Sequence, residues 1–161
     1  MSGTAAASSA ASAARPSLRS STSDCTSSIL KVAHCQDPTC STFTTSVIDA
    51  AGDVGRWASI AIGADGLALI AYEDRTSRAL KVAHCNDLSC SFAVTTTLDV
   101  VDGLPVQASI RMGDDGRGLI SYRHAGDSAL RIAHCSNAAC TQATTVVLDD
   151  EGDAGLANSI T

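Results

Sequence analysis

The chain has 161 residues, of which 45 % are apolar and 17 % charged, enough apolar material for a packed core. Aromatic residues make up 3 %, and 11 basic against 17 acidic side chains leave a net charge of −6. That profile excludes a nucleic-acid surface, which rewards aromatic platforms and positive charge, and no apolar run approaches the ~20 residues of a membrane-crossing helix. Residues 1–27 are Ala- and Ser-rich, carry Arg15 and Arg19, and have no apolar run of the kind a secretory leader needs. They are expected to be a disordered tail or a linker, with an organelle transit segment as the sharper alternative.

From residue 28 on, one unit recurs every 50 positions, in segments 30–79, 80–129 and 130–161. Leu30-Lys31-Val32-Ala33-His34-Cys35 returns as Leu80-Lys81-Val82-Ala83-His84-Cys85 and as Leu130-Arg131-Ile132-Ala133-His134-Cys135. About 21 of the 50 positions are identical between the first two segments without a gap, too many for chance. In chain order, each full unit reads as four short strands. Residues 58–62 form a small-residue strand, and Gly63-Ala64-Asp65-Gly66 a tight turn in which glycine supplies the left-handed backbone. Residues 67–72 form a second strand, 73–78 a polar loop, 79–85 a third strand, 86–89 a four-residue turn, and 92–98 a Thr- and Val-rich fourth strand. No stretch of twelve residues keeps helical spacing.

Four strands per 50 residues in tandem predict an all-β fold of β-propeller-type blade repeats. The chain then holds about two and a half blades, an incomplete ring, because closure takes four to eight. The uncovered blade faces call for remaining blades in a longer chain or for a homo-oligomer.

The string Leu-Lys-Val-Ala-His-Cys-x4-Cys is followed by a Thr-rich strand, an Asp, and Ser-Ile-x-x-Gly-x-Asp-Gly-x-x-Leu-Ile-x-Tyr. Over residues 28–161 this pattern resembles tandem repeats of large secreted or surface proteins of bacteria. The resemblance implies propeller blades of a sialidase-like or lectin-like kind. The turns at 63–66 and 113–116 match the sialidase Asp-box only loosely, lacking the preceding Ser or Thr and the following Trp. The arginine triad and tyrosine nucleophile of sialidases have no counterpart positions here.

Seven cysteines form three C-x4-C pairs, Cys35/Cys40, Cys85/Cys90 and Cys135/Cys140, with Cys25 left over. A hairpin that sets each pair opposite one another brings the Cα atoms to ~4.5–5.5 Å, which suits a disulfide. Free buried thiols and a His-Cys metal site are the alternatives. The metal site is disfavoured because His and Cys adjacent in a strand point to opposite faces, and each unit supplies three ligands where structural zinc takes four. Disulfides imply an extracellular or cell-surface setting. No cofactor or metal is expected, and the acidic run Asp149-Asp150-Glu151-Gly152-Asp153 reads as a solvated turn.

His34/84/134, Asp49/99/149 and Ser59/109/159 recur in register, which suggests a repeated His–Ser–Asp hydrogen-bond set tying strands together rather than a catalytic trio. Ligand-binding chemistry is expected where the copies differ, in loops on one end of the blades: Arg56, Trp57, Glu73, Arg75, Arg123 and His124. Trp57 suits sugar stacking, and Arg75 and Arg123 suit carboxylates or hydroxyls. The expected role is a non-catalytic binding or structural module, not an enzyme, with carbohydrate or protein as ligand. The rivals are a sialidase-like glycoside hydrolase fragment, which requires paired carboxylates ~5–10 Å apart, and a disulfide-stapled spacer without a ligand.

Overall fold

The computed structural model describes residues 28–103, 106–156 and 158–160. The expected tail and Cys25 lie outside the described residues. Within them the chain forms ten strands and no helix. In chain order these are β1 (Leu30–Cys35), β2 (Phe43–Asp49), β3 (Val54–Ile62), β4 (Ala68–Asp74), β5 (Ala79–Cys85), β6 (Ala93–Val100), β7 (Ala108–Met112), β8 (Gly118–His124), β9 (Ala129–Cys135) and β10 (Ala143–Asp149). They make a two-stranded sheet β1–β2 and two four-stranded sheets, β3–β4–β5–β6 and β7–β8–β9–β10. Every pairing is antiparallel between sequence neighbours, so each four-stranded sheet is a plain meander. The sheets do not close into a ring.

The sheets stack face to face, and β4 shows why its sequence is almost wholly apolar. Alternate residues of a strand point to opposite faces. Ile70 and Tyr72 pack toward the β1–β2 sheet with Leu30, Val54, Ala83, Cys85 and Cys90. Leu69 and Ala71 pack the other way, with Leu80 and Val82, against Ile110, Ile120, Tyr122, Ala133 and Cys135 of the third sheet. Leu69, Leu80, Val82 and Ile120 are all 0 % exposed, so each contributes roughly 1.5–3 kcal/mol of hydrophobic stabilisation. Strand β7 lies against β3 and β4, while β6 and β10 have no comparable approach, so the second and third sheets meet most closely at their first strands.

Two elements start or end differently from the sequence reading. Strand β3 begins at Val54, four residues early, because Val54 N–H donates to the Ser28 carbonyl and its side chain is fully buried. Strand β4 runs on through Glu73 and Asp74, which are buried strand residues rather than a polar loop. The entry to β3 depends on Gly55. Its φ is +86°, and a Cβ there would stand 2.8 Å from the Leu30 Cα. Gly155 repeats this against Leu130 at φ +82°.

All three C-x4-C pairs are disulfides, with Cα separations of 4.7, 4.9 and 4.8 Å. Their geometry corrects the hairpin expected from spacing. Cys85 stands opposite Ala93, not opposite Cys90, and the same shift pairs Cys35 with Phe43 and Cys135 with Ala143. The second cysteine lies inside a longer loop, in a left-handed conformation (φ 54°, 52° and 51° at Cys40, Cys90 and Cys140). A turn closed by Cys90 N–H to the Asp87 carbonyl folds it back onto Cys85. The Asp87 carboxylate organises this loop, accepting from Ser89 N–H at 2.8 Å, the Ser89 hydroxyl at 2.5 Å, Ser91 N–H at 3.2 Å and the Ser91 hydroxyl. Asp37 does the same for Thr39, Ser41 and Thr42, and Asn137 takes that place in the third copy. Three disulfides point to an oxidising environment.

Candidate functional site

The residues that recur bind the sheets to one another. Asp49, at the end of β2, accepts from the Tyr72 hydroxyl at 2.7 Å and from Lys81 Nζ at 2.6 Å, both on the next sheet. Asp99 repeats the contact one unit on, accepting from the Tyr122 hydroxyl at 2.6 Å with Arg131 Nη1 at 3.5 Å. Lys81 Nζ also lies 5.6 Å from the Tyr72 ring centre. Burial disfavours the Asp49 carboxylate, but hydrogen bonds from Lys81, the Ala51 N–H and Tyr72 outweigh it and hold Asp49 below the usual carboxylate range. Burial first, then the Asp partner, drives both tyrosine hydroxyls well above their ordinary pKa, so they remain donors.

The expected His–Ser–Asp set does not form; each member serves a different contact. His84 Nε2 meets Asp65 Oδ2 at 2.9 Å and His134 Nε2 meets Asp115 Oδ2 at 2.9 Å, which pins the β3–β4 and β7–β8 turns to the third strand of each sheet. Ser59 Oγ accepts from Ile110 N–H at 3.2 Å, joining β3 to β7, and Ser109 Oγ accepts from Ile160 N–H at 3.4 Å, joining β7 to the segment after β10. Tyr72, Lys81, Asp65 and their copies carry these contacts. Their own 50-residue recurrence was the signal that could have found them.

The six candidate binding residues lie at the opposite end of the sheets from the disulfide loops. They are not all in loops: Arg56 and Trp57 belong to β3, Glu73 to β4, and Arg123 and His124 to β8. Arg56, Glu73 and Arg75 gather round Asp53. Arg56 pairs with Glu73 in the strand register, Asp53 Oδ1 lies 3.5 Å from Arg56 Nε, and Asp53 Oδ2 lies 3.7 Å from Arg75 Nε. Glu73 is buried and accepts from Val106 N–H at 3.3 Å, and burial raises its pKa. Arg123, at the same position one unit later, is also buried, with Asp153 Oδ1 at 2.6 Å from its Nη2. Glu73 and Arg123 therefore brace the segment leading into the next unit. His124 Nδ1 meets Asp127 at 2.7 Å.

Trp57 stands apart. It is 54 % exposed, and its φ of +51° falls in a register shift between Arg56 and Ser59 that turns the residue out of the ladder. Gln107 has the same left-handed backbone one unit on, at φ 39°. This end of the sheet thus carries an exposed indole at Trp57 and two half-exposed arginines, Arg56 and Arg75, paired to Asp53. Among the described residues no group of three His, Cys, Asp or Glu side chains is set to hold a metal ion. No family model matches the chain, and no curated protein or solved structure matches it either.

Proposed function

We propose that the chain is a propeller-type repeat segment of a secreted or surface protein, acting as a non-catalytic module. Its ligand face is the Trp57 end, and its ligand is a carbohydrate or a protein. The observation that carries the architecture is the repeated clamp from Asp49 to Tyr72 and Lys81, and from Asp99 to Tyr122 and Arg131. It stacks four-stranded meanders face to face with their first strands closest, as blades are arranged about an axis. Six cysteines held in disulfides support the extracytoplasmic setting.

For the ligand face, support comes from Trp57. A large apolar ring more than half exposed at a strained backbone position has little packing role, and a planar ring on the same end of the sheet as Arg56 and Arg75 suits stacking on a sugar face, with the arginines supplying hydrogen bonds to its hydroxyls or carboxylate. A glycan array probed with the wild-type chain and with Trp57→Ala tests it. Binding that disappears with the substitution supports a carbohydrate ligand, whereas absence of binding at high protein concentration overturns the carbohydrate reading.

A further inference from the structure

Among the described residues, two faces of the stack are covered only in part, and fully covered copies of each exist within the same chain. On the second sheet, the face carrying Leu69, Ala71, Leu80 and Val82 is covered by the third sheet, and all four are 0 % exposed. The corresponding residues of the third sheet are Leu119, Ser121, Leu130 and Ile132; Ser121 is buried and its hydroxyl donates to Asn158 Oδ1 at 2.7 Å, so residues 158–160 cover one edge of this face, whereas the three apolar side chains are only partly buried. Ile48 and Leu98, at the ends of β2 and β6, pack against the next sheet, whereas Leu148 in β10 is 54 % exposed. Asp149 holds the place of Asp49 and Asp99. It is exposed, and its carboxylate accepts the Glu151 N–H at 3.0 Å, with no tyrosine or cation on it among the described residues.

The β1–β2 sheet shows the complementary half. Lys31 holds the place of Lys81 and Arg131, whose side chains reach the preceding sheet's Asp, yet Lys31 is exposed. Cys35 and its register partner Phe43 share that outward face. Phe43 is 57 % exposed where the equivalent Ala93 is 7 % exposed. One end therefore presents an apolar face with an acid, and the other an apolar face with a base.

We propose that the chain associates head to tail, the exposed part of the β7–β10 face taking the exposed residues of the β1–β2 face of a second copy. Lys31 of that copy donates to Asp149 as Lys81 does to Asp49. This deepens the stacked-sheet reading above and rests on it, but not on any ligand at Trp57. Such a contact is heterologous, so it builds rings or open chains rather than closed two-fold dimers.

Sedimentation velocity over roughly 5–200 µM tests it, a range set by the micromolar affinity of a modest interface. The expected result is a weight-average mass that rises with concentration. Lys31→Asp and Asp149→Lys should each weaken association at least about tenfold, since each places like charges together. The double variant Lys31→Asp/Asp149→Lys restores opposite charges and should recover it. Unchanged far-UV circular dichroism shows that each variant is folded. A monomer at all concentrations, or association indifferent to both reversals, overturns the proposal. So does a monomeric wild type whose melting temperature rises when residues 112–161 are appended after Thr161, since the face then belongs to a further unit of the same chain. Loss of glycan binding alone leaves the sedimentation result untouched, so the two readings fail separately.

Discussion

Replacing Tyr72 with phenylalanine removes one hydroxyl and leaves the packing of the ring in place. The lost bond is 2.7 Å long, buried, and made to an ionised carboxylate. Hydrogen bonds to charged groups contribute roughly 1.5–3 kcal/mol. The lower end applies here, because Asp49 keeps Lys81 Nζ at 2.6 Å and the Ala51 N–H at 3.0 Å and is not left unpaired. Tyr72→Phe should therefore cost about 1.5 kcal/mol, or about 5 °C in melting temperature for a domain of this size. Asp49→Ala is the harsher change, since it leaves a buried tyrosine hydroxyl without an acceptor and Lys81 with only Asp74 at 3.6 Å. It should cost about 3 kcal/mol.

The pH dependence gives a second handle on the same contact. The Asp49 carboxyl is held below its ordinary value, so its contribution is complete above the unfolded carboxylate pKa of about 4 and fades as pH falls through the folded value. Tyr72 is raised instead, so its contribution is complete below the unfolded tyrosine pKa of about 10 and fades as pH rises through the folded value. Between about pH 5 and 9 the gap between wild type and Tyr72→Phe should thus be flat. Urea melts of both proteins, disulfides intact, measure it, and Tyr122→Phe should lose stability in the same direction. A gap within about 0.3 kcal/mol of zero, or one that changes between pH 5 and 9, would refute the clamp as a stabilising contact.

Two further outcomes follow from the disulfide loops. With six of seven cysteines paired, thiol titration of the unreduced protein should find one reactive group and seven after reduction in denaturant; under mild reductant Cys35–Cys40, half-buried, should open before the two buried pairs. Hydrogen bonds from Thr39 and from Ser89 lead those that hold Asp37 and Asp87 far below the usual carboxylate range, so the 36–42 and 86–92 loops should keep their structure until well below pH 4 and then loosen, whereas Asn137 cannot titrate. Amide shifts of Ser41 and Ser91 that move in acid while that of Thr141 stays fixed would bear this out, and three loops moving together would not.

Much of this fold was legible because recurrence and strand alternation are both properties of the chain itself. The period located all ten strands to within a few residues, and C-x4-C identified the disulfides. Partners were harder to see. His84, Ser59 and Asp49 recur together, yet His84 bonds 19 residues back to Asp65, and Asp49 reaches 23 residues forward to Tyr72. A shared period shows which residues matter without showing which of them touch, because the contact depends on how sheets stack. The same limit applied to Glu73 and Arg123. Opposite charges at equivalent positions looked like variable ligand chemistry. Both are buried braces whose charge follows the local partner, a backbone N–H for Glu73 and the Asp153 carboxylate for Arg123.

The clamp also gives the stack a direction that its apolar surfaces lack. Hydrophobic contact is non-directional, so Leu69, Leu80 and Ile120 would tolerate a sheet packed either way round. Each unit, however, offers an acid from its fourth strand to one neighbour, and a tyrosine with a lysine or arginine from its second and third strands to the other. Reversing one unit would set Asp against Asp and leave Lys81 and Tyr72 without an acceptor, a cost of several kcal/mol for partly buried charges. Apolar burial thus supplies the strength of the stack and the polar clamp its polarity, which is the division of labour a chain of near-identical units needs to add each one in the same sense. Positions outside the clamp, such as 57 and 107, are then free to differ from copy to copy, and this is where a repeat scaffold can carry distinct recognition chemistry without altering how it stacks.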